Sequence, residues 1–292
     1  MKALLDATER SGARLVLIGD AGQIQPIEAG GAFPEMTRRL GAVELTEIRR
    51  QREAWARQAV RDFARGEAGS GLRAYAERGL LTVADDRQSA MEALIKAWRV
   101  RGVRSPEDQL IFTGTREEAL ILNRMAQAER QQAGALGQET LIGAYGDAFH
   151  VGDRVLFMQK SRLFDVENGT LGQVVGLDQN EKALRIRTDS GERVRIPLEQ
   201  YEHLRLGYAM TTHKGQGATV DRAFILAGGA MQDRHISYVQ TSRSRGETRL
   251  FVDRYEAGEK LTSLVRQMSL ERAKEMAHTV QEQNSQRHRV RF

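Results

Sequence analysis

The 292-residue chain contains no cysteine. That excludes disulfides, thiolate metal sites and cysteine nucleophiles, and fits a reducing compartment. Aromatic residues make up only 6% of the chain, so any stacking on bases must rest on few side chains. No apolar run approaches the roughly 20 residues of a membrane span. The opening Met-Lys-Ala-Leu-Leu-Asp-Ala is a short amphipathic stretch and not a signal peptide. A cytoplasmic protein with no membrane contact is expected. The six histidines are scattered, so no metal site is expected. Also absent is Gly-x4-Gly-Lys-Ser/Thr, the pattern whose backbone amides and lysine hold nucleotide phosphates. Gly215-Gln-Gly and Gly69-Ser-Gly lack the Lys-Ser/Thr that must follow.

What is present suits a packed protein with a polyanionic partner. Apolar residues make up 40% and charged residues 28%. The net charge is +5 and the pI is near 9.6. The length suggests two domains and a small insertion. Residues 1–12 pattern as a helix stopped by Gly12, and Arg14–Ile18 is an apolar run that suits a buried parallel strand. Helices are predicted over 53–66, 89–101 and 115–132, with a buried strand at Leu110-Ile111-Phe112. Strand–helix alternation of this kind predicts α/β layering.

The texture changes near Val151. From there to Pro197, short β-like runs alternate with the turn signals Glu167-Asn168-Gly169, Asp178-Gln-Asn180 and Asp189-Ser-Gly191. This pattern predicts a small SH3-like barrel inserted into an α/β domain. The α/β texture then returns, with strands at 224–226 and 249–252 around a helix at 233–243. From Lys260 the tail is helical, charged and Gln-rich.

Four segments carry candidate chemistry. Gly19-Asp20-Ala-Gly22-Gln23 follows the first apolar run. Its polar groups suit either a ligand-facing turn at a sheet's carboxyl edge or a plain capping loop. Arg49-Arg50-Gln51 could clamp phosphates or begin a solvated helix. Tyr208–Thr219 crowds Thr211, Thr212, His213, Lys214 and Gln216 together with two glycines, Gly215 and Gly217. That combination lets backbone and cations approach a phosphodiester. Tyr238–Arg245 is expected on a helix, with Arg243 and Arg245 diverging. One arginine could then reach a transferred phosphoryl group while the other pairs or stays solvated. The other reading is a pair favouring a helix dipole.

In order and spacing, these segments resemble motifs III, IV, V and VI of superfamily 1 DNA helicases of the RecD-like type. The resemblance is nearest to the helicase portion of conjugative relaxases and spans most of residues 1–255. It implies two RecA-like motor domains that use ATP and Mg²⁺ and step 5′ to 3′ along single-stranded DNA. Carried over, Asp20 and Gln23 would lie at the nucleotide, with Gln23 sensing the γ-phosphate. Arg50 and Arg243 would contact that phosphate from the second domain, Arg243 as the arginine finger. Thr212, His213, Lys214 and Gln216 would lie along the DNA strand or couple it to nucleotide. Motif V carries Thr219 where many relatives have Glu, as the relaxase helicases do.

The resemblance also implies boundaries. Residues 1–88 are expected to be the C-terminal part of a first RecA-like domain. Residues 89–150 and 198–258 would form the second, 151–197 the SH3-like insertion and 259–292 a charged helical tail. The phosphate-binding loop and Mg²⁺-binding acids would precede Met1, as would the relaxase nuclease. The adjacent acids Asp85-Asp86 follow a different strand. The chain alone is therefore expected to lack ATP hydrolysis, its partners being single-stranded DNA and a missing motor or relaxase segment. The alternative is a single-strand-binding module without catalysis.

Overall fold

The computed structural model describes residues 2–20, 23, 32–43, 48 and 50–272. The chain divides into two compact units, Met1–Ile48 with Glu271–Phe292, and Arg49–Leu270. In the first unit, helix α1 spans Lys2–Ser11 and α2 spans Ala32–Leu40. Gly12 ends α1 with φ 62°, its amide donating to the Glu9 carbonyl at 3.2 Å. The expected strand at 14–18 does not form: the segment is unpaired, with Val16 77% and Ile18 93% exposed. A parallel strand is held by hydrogen-bonded neighbours and covered faces, and no described residue pairs with this one. Residues 273–292 of the predicted helical tail lie outside the described residues, as do 21–22 and 24–31 of the first motif.

The second unit begins with helices α3 (Ala54–Arg65) and α4 (Ala68–Ala76), strand β1 (Leu81–Ala84) and helix α5 (Arg87–Gly102). Strand β2 (Gln109–Thr113) and helix α6 (Arg116–Gln132) follow. Asp86 caps α5 by accepting from the Ser89 amide at 2.7 Å, and Thr115 caps α6 through the Glu118 amide at 3.2 Å. After an intervening β region come β10 (Ala209–Thr211), β11 (Val220–Leu226), α7 (Arg234–Thr241) and β12 (Ser244–Asp253). The short helix α8 (Arg254–Ala257) and α9 (Thr262–Ser269) close the unit.

Five strands pair in parallel in the order β1-β12-β11-β2-β10. Their unbroken apolar runs follow from burial on both faces. On β2, Ile111 packs on the side of α5 and α6, while Leu110 and Phe112 pack on the side of α3, α4 and α9. On β11, Phe224 and Leu226 share the first side, and Ala223 and Ile225 the second. The result is a helix–sheet–helix sandwich. Because β1 joins this sheet and α3 packs with α4 and α7, residues 49–88 belong to the second unit.

Between α6 and β10 lie the hairpin β3 (Thr140–Ile142) and β4 (Ala148–His150) and an antiparallel sheet. The sheet contains β5 (Arg154–Phe157), β6 (Leu171–Asp178), β7 (Ala183–Thr188), β8 (Arg193–Pro197) and β9 (Leu204–Leu206). Its order is β8-β7-β6-β5-β9. Gly169 and Gly191 take φ 91° and 93° at its turns, a region favouring glycine. Gly172 is needed for close approach, since a Cβ there would lie 2.7 Å from Ile186 Cγ2 and 2.9 Å from the Arg187 carbonyl oxygen. Gly172→Ala is expected to destabilise the protein by about 1–3 kcal/mol through overpacking, read as a lower urea midpoint.

The root of this β region is a buried polar joint. Asp153 accepts from the Tyr208 hydroxyl at 2.5 Å, Gln127 Nε2 at 2.7 Å and the His150 amide at 2.7 Å. Arg130 donates to the Gly152 carbonyl at 2.6 Å and to the Tyr208 hydroxyl at 3.3 Å. The Asn123 amide oxygen accepts from the Tyr208 and Ala209 amides, fixing the entry into β10. Burial raises the Asp153 carboxyl above its usual range against these bonds.

Candidate phosphate and nucleic-acid interface

Residues 50–52 and 242–245, widely separated in sequence, meet at the amino ends of β11 and β12. Arg50 Nη1 donates to the Ser242 carbonyl at 2.7 Å. The buried Gln51 bridges the carbonyls of Ser242 and Ser244 through Nε2, at 3.1 and 2.8 Å. The Arg52 amide donates to the Arg245 carbonyl at 3.0 Å. Gln51 was not among the predicted site residues, yet it holds the two arginine segments in register. The sequence placed it with Arg50 in the second candidate segment but gave it no role of its own.

The last motif does not lie on a helix throughout. α7, capped by Asp233, ends at Thr241, and Ser244 already opens β12. The helix stops because the chain must turn into the parallel sheet, where Ser244 pairs with Val220. Arg243 therefore sits in the helix-to-strand junction, only 3% exposed. Its Nε donates to the Val239 carbonyl at 2.9 Å, and its Nη2 to Ser242 Oγ at 2.8 Å. Arg245 points elsewhere, 3.5 Å from Asp221, which Arg52 approaches at 3.9 Å. One arginine is thus sequestered and the other paired near the surface.

The loop after β10 is tied to the same junction. Thr212 is buried, its hydroxyl donating to the Thr113 carbonyl at 3.3 Å and accepting from Gln240 Nε2 at 2.8 Å. Gln240 in turn meets Gln232 Nε2 at 3.3 Å, which also reaches Ser237 Oγ at 2.7 Å. Thr212 thus positions the loop through α7, leaving surface contact to its neighbours. His213 and Gln216 are exposed. Lys214 is half-buried, its Nζ donating to Asn168 Oδ1 at 2.7 Å and lying 3.4 Å from the Met158 carbonyl. Burial and then the nearby Arg116 cation lower its pKa. Asn168 lies in the β5–β6 connection, so Lys214 joins the β10–β11 loop to the antiparallel sheet. In the first unit, Gln23 Nε2 donates to Asp20 Oδ2 at 3.1 Å.

Residues 1–86 match the AAA domain family. The conjugal transfer protein TraA of Agrobacterium fabrum is 38% identical over 255 residues, covering 86% of this chain. The ATP-dependent RecD2 DNA helicase of Deinococcus radiodurans is 26% identical over 240 residues, covering 80% of this chain. The chain spans 23% and 32% of the lengths of these two relatives. Among solved structures, the Pif1 helicase from Bacteroides in complex with ADP-AlF3 and ssDNA is similar in fold. It aligns with 97% of this chain and 72% of its own at TM-score 0.53 and 16% identity.

Proposed function

We propose that the chain, a superfamily 1 helicase-like protein similar to the conjugal transfer protein TraA and to the RecD2 DNA helicase, forms the C-terminal part of an ATP-dependent motor. The motor would move 5′ to 3′ on single-stranded DNA during conjugative transfer. The observation that carries this reading is the convergence of Arg50 and Gln51 on Ser242–Ser244, with Thr212 bonded to Gln240. Three separated motifs thereby form one hydrogen-bonded unit, through which strand contact at Lys214 can be coupled to phosphate contact at Arg50 and Arg243. The antiparallel sheet, which takes in the expected insertion at 151–197 and adds β9 beyond it, is read as the SH3-like insertion, and Met1–Ile48 as part of the first motor domain.

The cofactors fit this chain unequally. Arg50 and Arg243 are guanidinium donors suited to phosphoryl oxygens of ATP, where they would stabilise developing charge. The sequence has no Gly-Lys-Ser/Thr to cradle the β-phosphate. Among the described residues no group of three or more His, Asp or Glu is placed to hold Mg²⁺. No helix there is long and apolar enough to cross a membrane.

The chain by itself is therefore expected to bind single-stranded DNA without hydrolysing ATP, the alternative reading of a binding module being its behaviour in isolation. Anisotropy with labelled oligothymidine checks the first half: Lys214→Ala should weaken binding about tenfold, by loss of a phosphate contact and its bond to Asn168. Phosphate release with and without DNA checks the second. ATP turnover that co-purifies with the chain and disappears in Arg243→Ala would refute the expected inactivity. Binding indifferent to salt and to Lys214 would refute the strand assignment.

A further inference from the structure

The outward face of the β7–β8 hairpin carries Arg185 and Arg187 on one strand and Arg193 and Arg195 on the other. All four are exposed. The register sets them directly opposite one another, Arg185 against Arg195 and Arg187 against Arg193. Along each strand they recur every second residue, about 6.7 Å apart. They flank a concavity of about 460 Å³. The Arg185 guanidinium lies across Gly176, where a Cβ would come within about 2.5 Å of Arg185 Nε.

Like charges directly opposed on neighbouring strands repel, and destabilise a sheet. Only Arg195 is neutralised locally, by Glu181 and by Asp178 at 3.5 Å. Among the described residues no carboxylate forms an ion pair with Arg185, Arg187 or Arg193, and Arg187 meets only the amide of Gln173, at 3.2 Å. Charges on an edge strand can serve to deter edge-to-edge association. That accounts for β8, which is the edge, but not for β7, which lies between β8 and β6. A fixed lattice of guanidinium groups with few acids is what a track of phosphates requires.

The choice between single and double strands follows from what the face lacks. Single-strand sites combine cations with aromatic platforms for unstacked bases. Beside the arginines this face carries Gln173 and Val175, and among the described residues no aromatic residue lines the concavity. A duplex keeps its own bases stacked and offers phosphates alone. We infer that the outward face of the β7–β8 hairpin docks the phosphodiester backbone of double-stranded DNA, separately from the single-strand contact at Lys214. The inference rests on the reading that this chain engages nucleic acid.

The test is anisotropy on the full 292-residue chain, with a blunt-ended duplex and with oligothymidine as separate probes. The variants are Arg187→Ser with Arg193→Ser, and Lys214→Ala. Both paired arginines are surface side chains, and an unchanged melting temperature verifies folding. The double variant should weaken duplex binding about tenfold and lower the salt slope of its log affinity by about 1.8, two phosphate contacts' worth. Its oligothymidine affinity should stay within about twofold, while Lys214→Ala shows the reverse pattern. Duplex binding unchanged in the double variant overturns the inference, as does an equal loss on both probes. Displacement of the duplex by polyglutamate at equal charge also overturns it, in favour of an acidic protein partner. Oligothymidine binding without any duplex binding sinks the inference alone, whereas binding to neither probe sinks the functional reading with it.

Discussion

Replacing Asp153 with alanine is expected to lower the unfolding free energy by about 3–4 kcal/mol, among the largest effects of any single substitution in the chain. The carboxylate serves three donors: the Tyr208 hydroxyl, Gln127 Nε2 and the His150 amide. Asp153 and Tyr208 are both buried, so the orphaned donors cannot turn to water. Each costs about 1–3 kcal/mol, offset in part because the mutant no longer desolvates a carboxyl. Asparagine should rescue part of the loss, its oxygen accepting from Gln127 and the His150 amide while its NH₂ donates to the Tyr208 hydroxyl oxygen. Equilibrium urea unfolding provides the measurement, and a loss below about 1 kcal/mol would show that the joint is not needed.

The same substitution should alter the pH dependence. Because burial raises the Asp153 pKa, the folded state holds its proton at a pH where the unfolded chain has released it. Stability contributed by this group is therefore greatest below the unfolded carboxyl pKa. It declines as pH rises through the folded value and is flat above it. The stability difference between wild type and Asp153→Ala should narrow over that interval. The joint matters for function because Tyr208 leads directly into β10 and the loop that carries Lys214. Loosening it should also weaken single-strand binding, even though Asp153 faces away from solvent.

The layering of the second unit was legible in the sequence because its strands are covered on both faces. Leu110-Ile111-Phe112 and Phe224-Ile-Leu226 are unbroken apolar runs for that reason, and the side chains of Thr115 and Asp233 announce the helices they cap. The segment 14–18 has the same apolar signature but no partner strand among the described residues, and periodicity within a segment cannot report what lies beside it. The end of α7 was missed because Thr241 to Arg245 contains no glycine or proline. What stops that helix is pairing with β11, a tertiary event. The candidate site divides along the same line. Arg50, Lys214 and Arg243 were readable as residue types in order. Gln51, Gln240 and Asn168 were not, because their importance lies in bonds to partners far along the chain. The burial of Thr212 was hidden for the same reason. The arginine pairs on β7 and β8 become opposed only through a register that sequence spacing does not reveal.

In a motor that combines this chain with a segment bearing Gly-Lys-Ser/Thr, Arg243→Lys is expected to lower DNA-stimulated ATP turnover by about 10³-fold, the scale of an arginine finger. The junction explains why lysine should fail. Arg243 uses Nε on the Val239 carbonyl and Nη2 on Ser242 Oγ at the same time. A lysine ammonium is a single point on a flexible stem and cannot hold both bonds while presenting charge in a fixed direction. If the guanidinium acts on charge that develops during transfer, kcat should fall with KM nearly unchanged. Gln51→Ala separates positioning from direct contact. Gln51 holds the carbonyls of Ser242 and Ser244 and lies beneath the surface. Its loss should reduce kcat by about 10-fold, and stability by about 1–2 kcal/mol from two lost hydrogen bonds. Arg50→Ala should fall between the two, since Arg50 is half-buried and donates to the same Ser242 carbonyl. Arg243→Lys retaining turnover within about threefold of wild type would remove Arg243 from the phosphate and leave it as a brace for the helix end. A loss confined to KM would instead make it a ground-state binding residue.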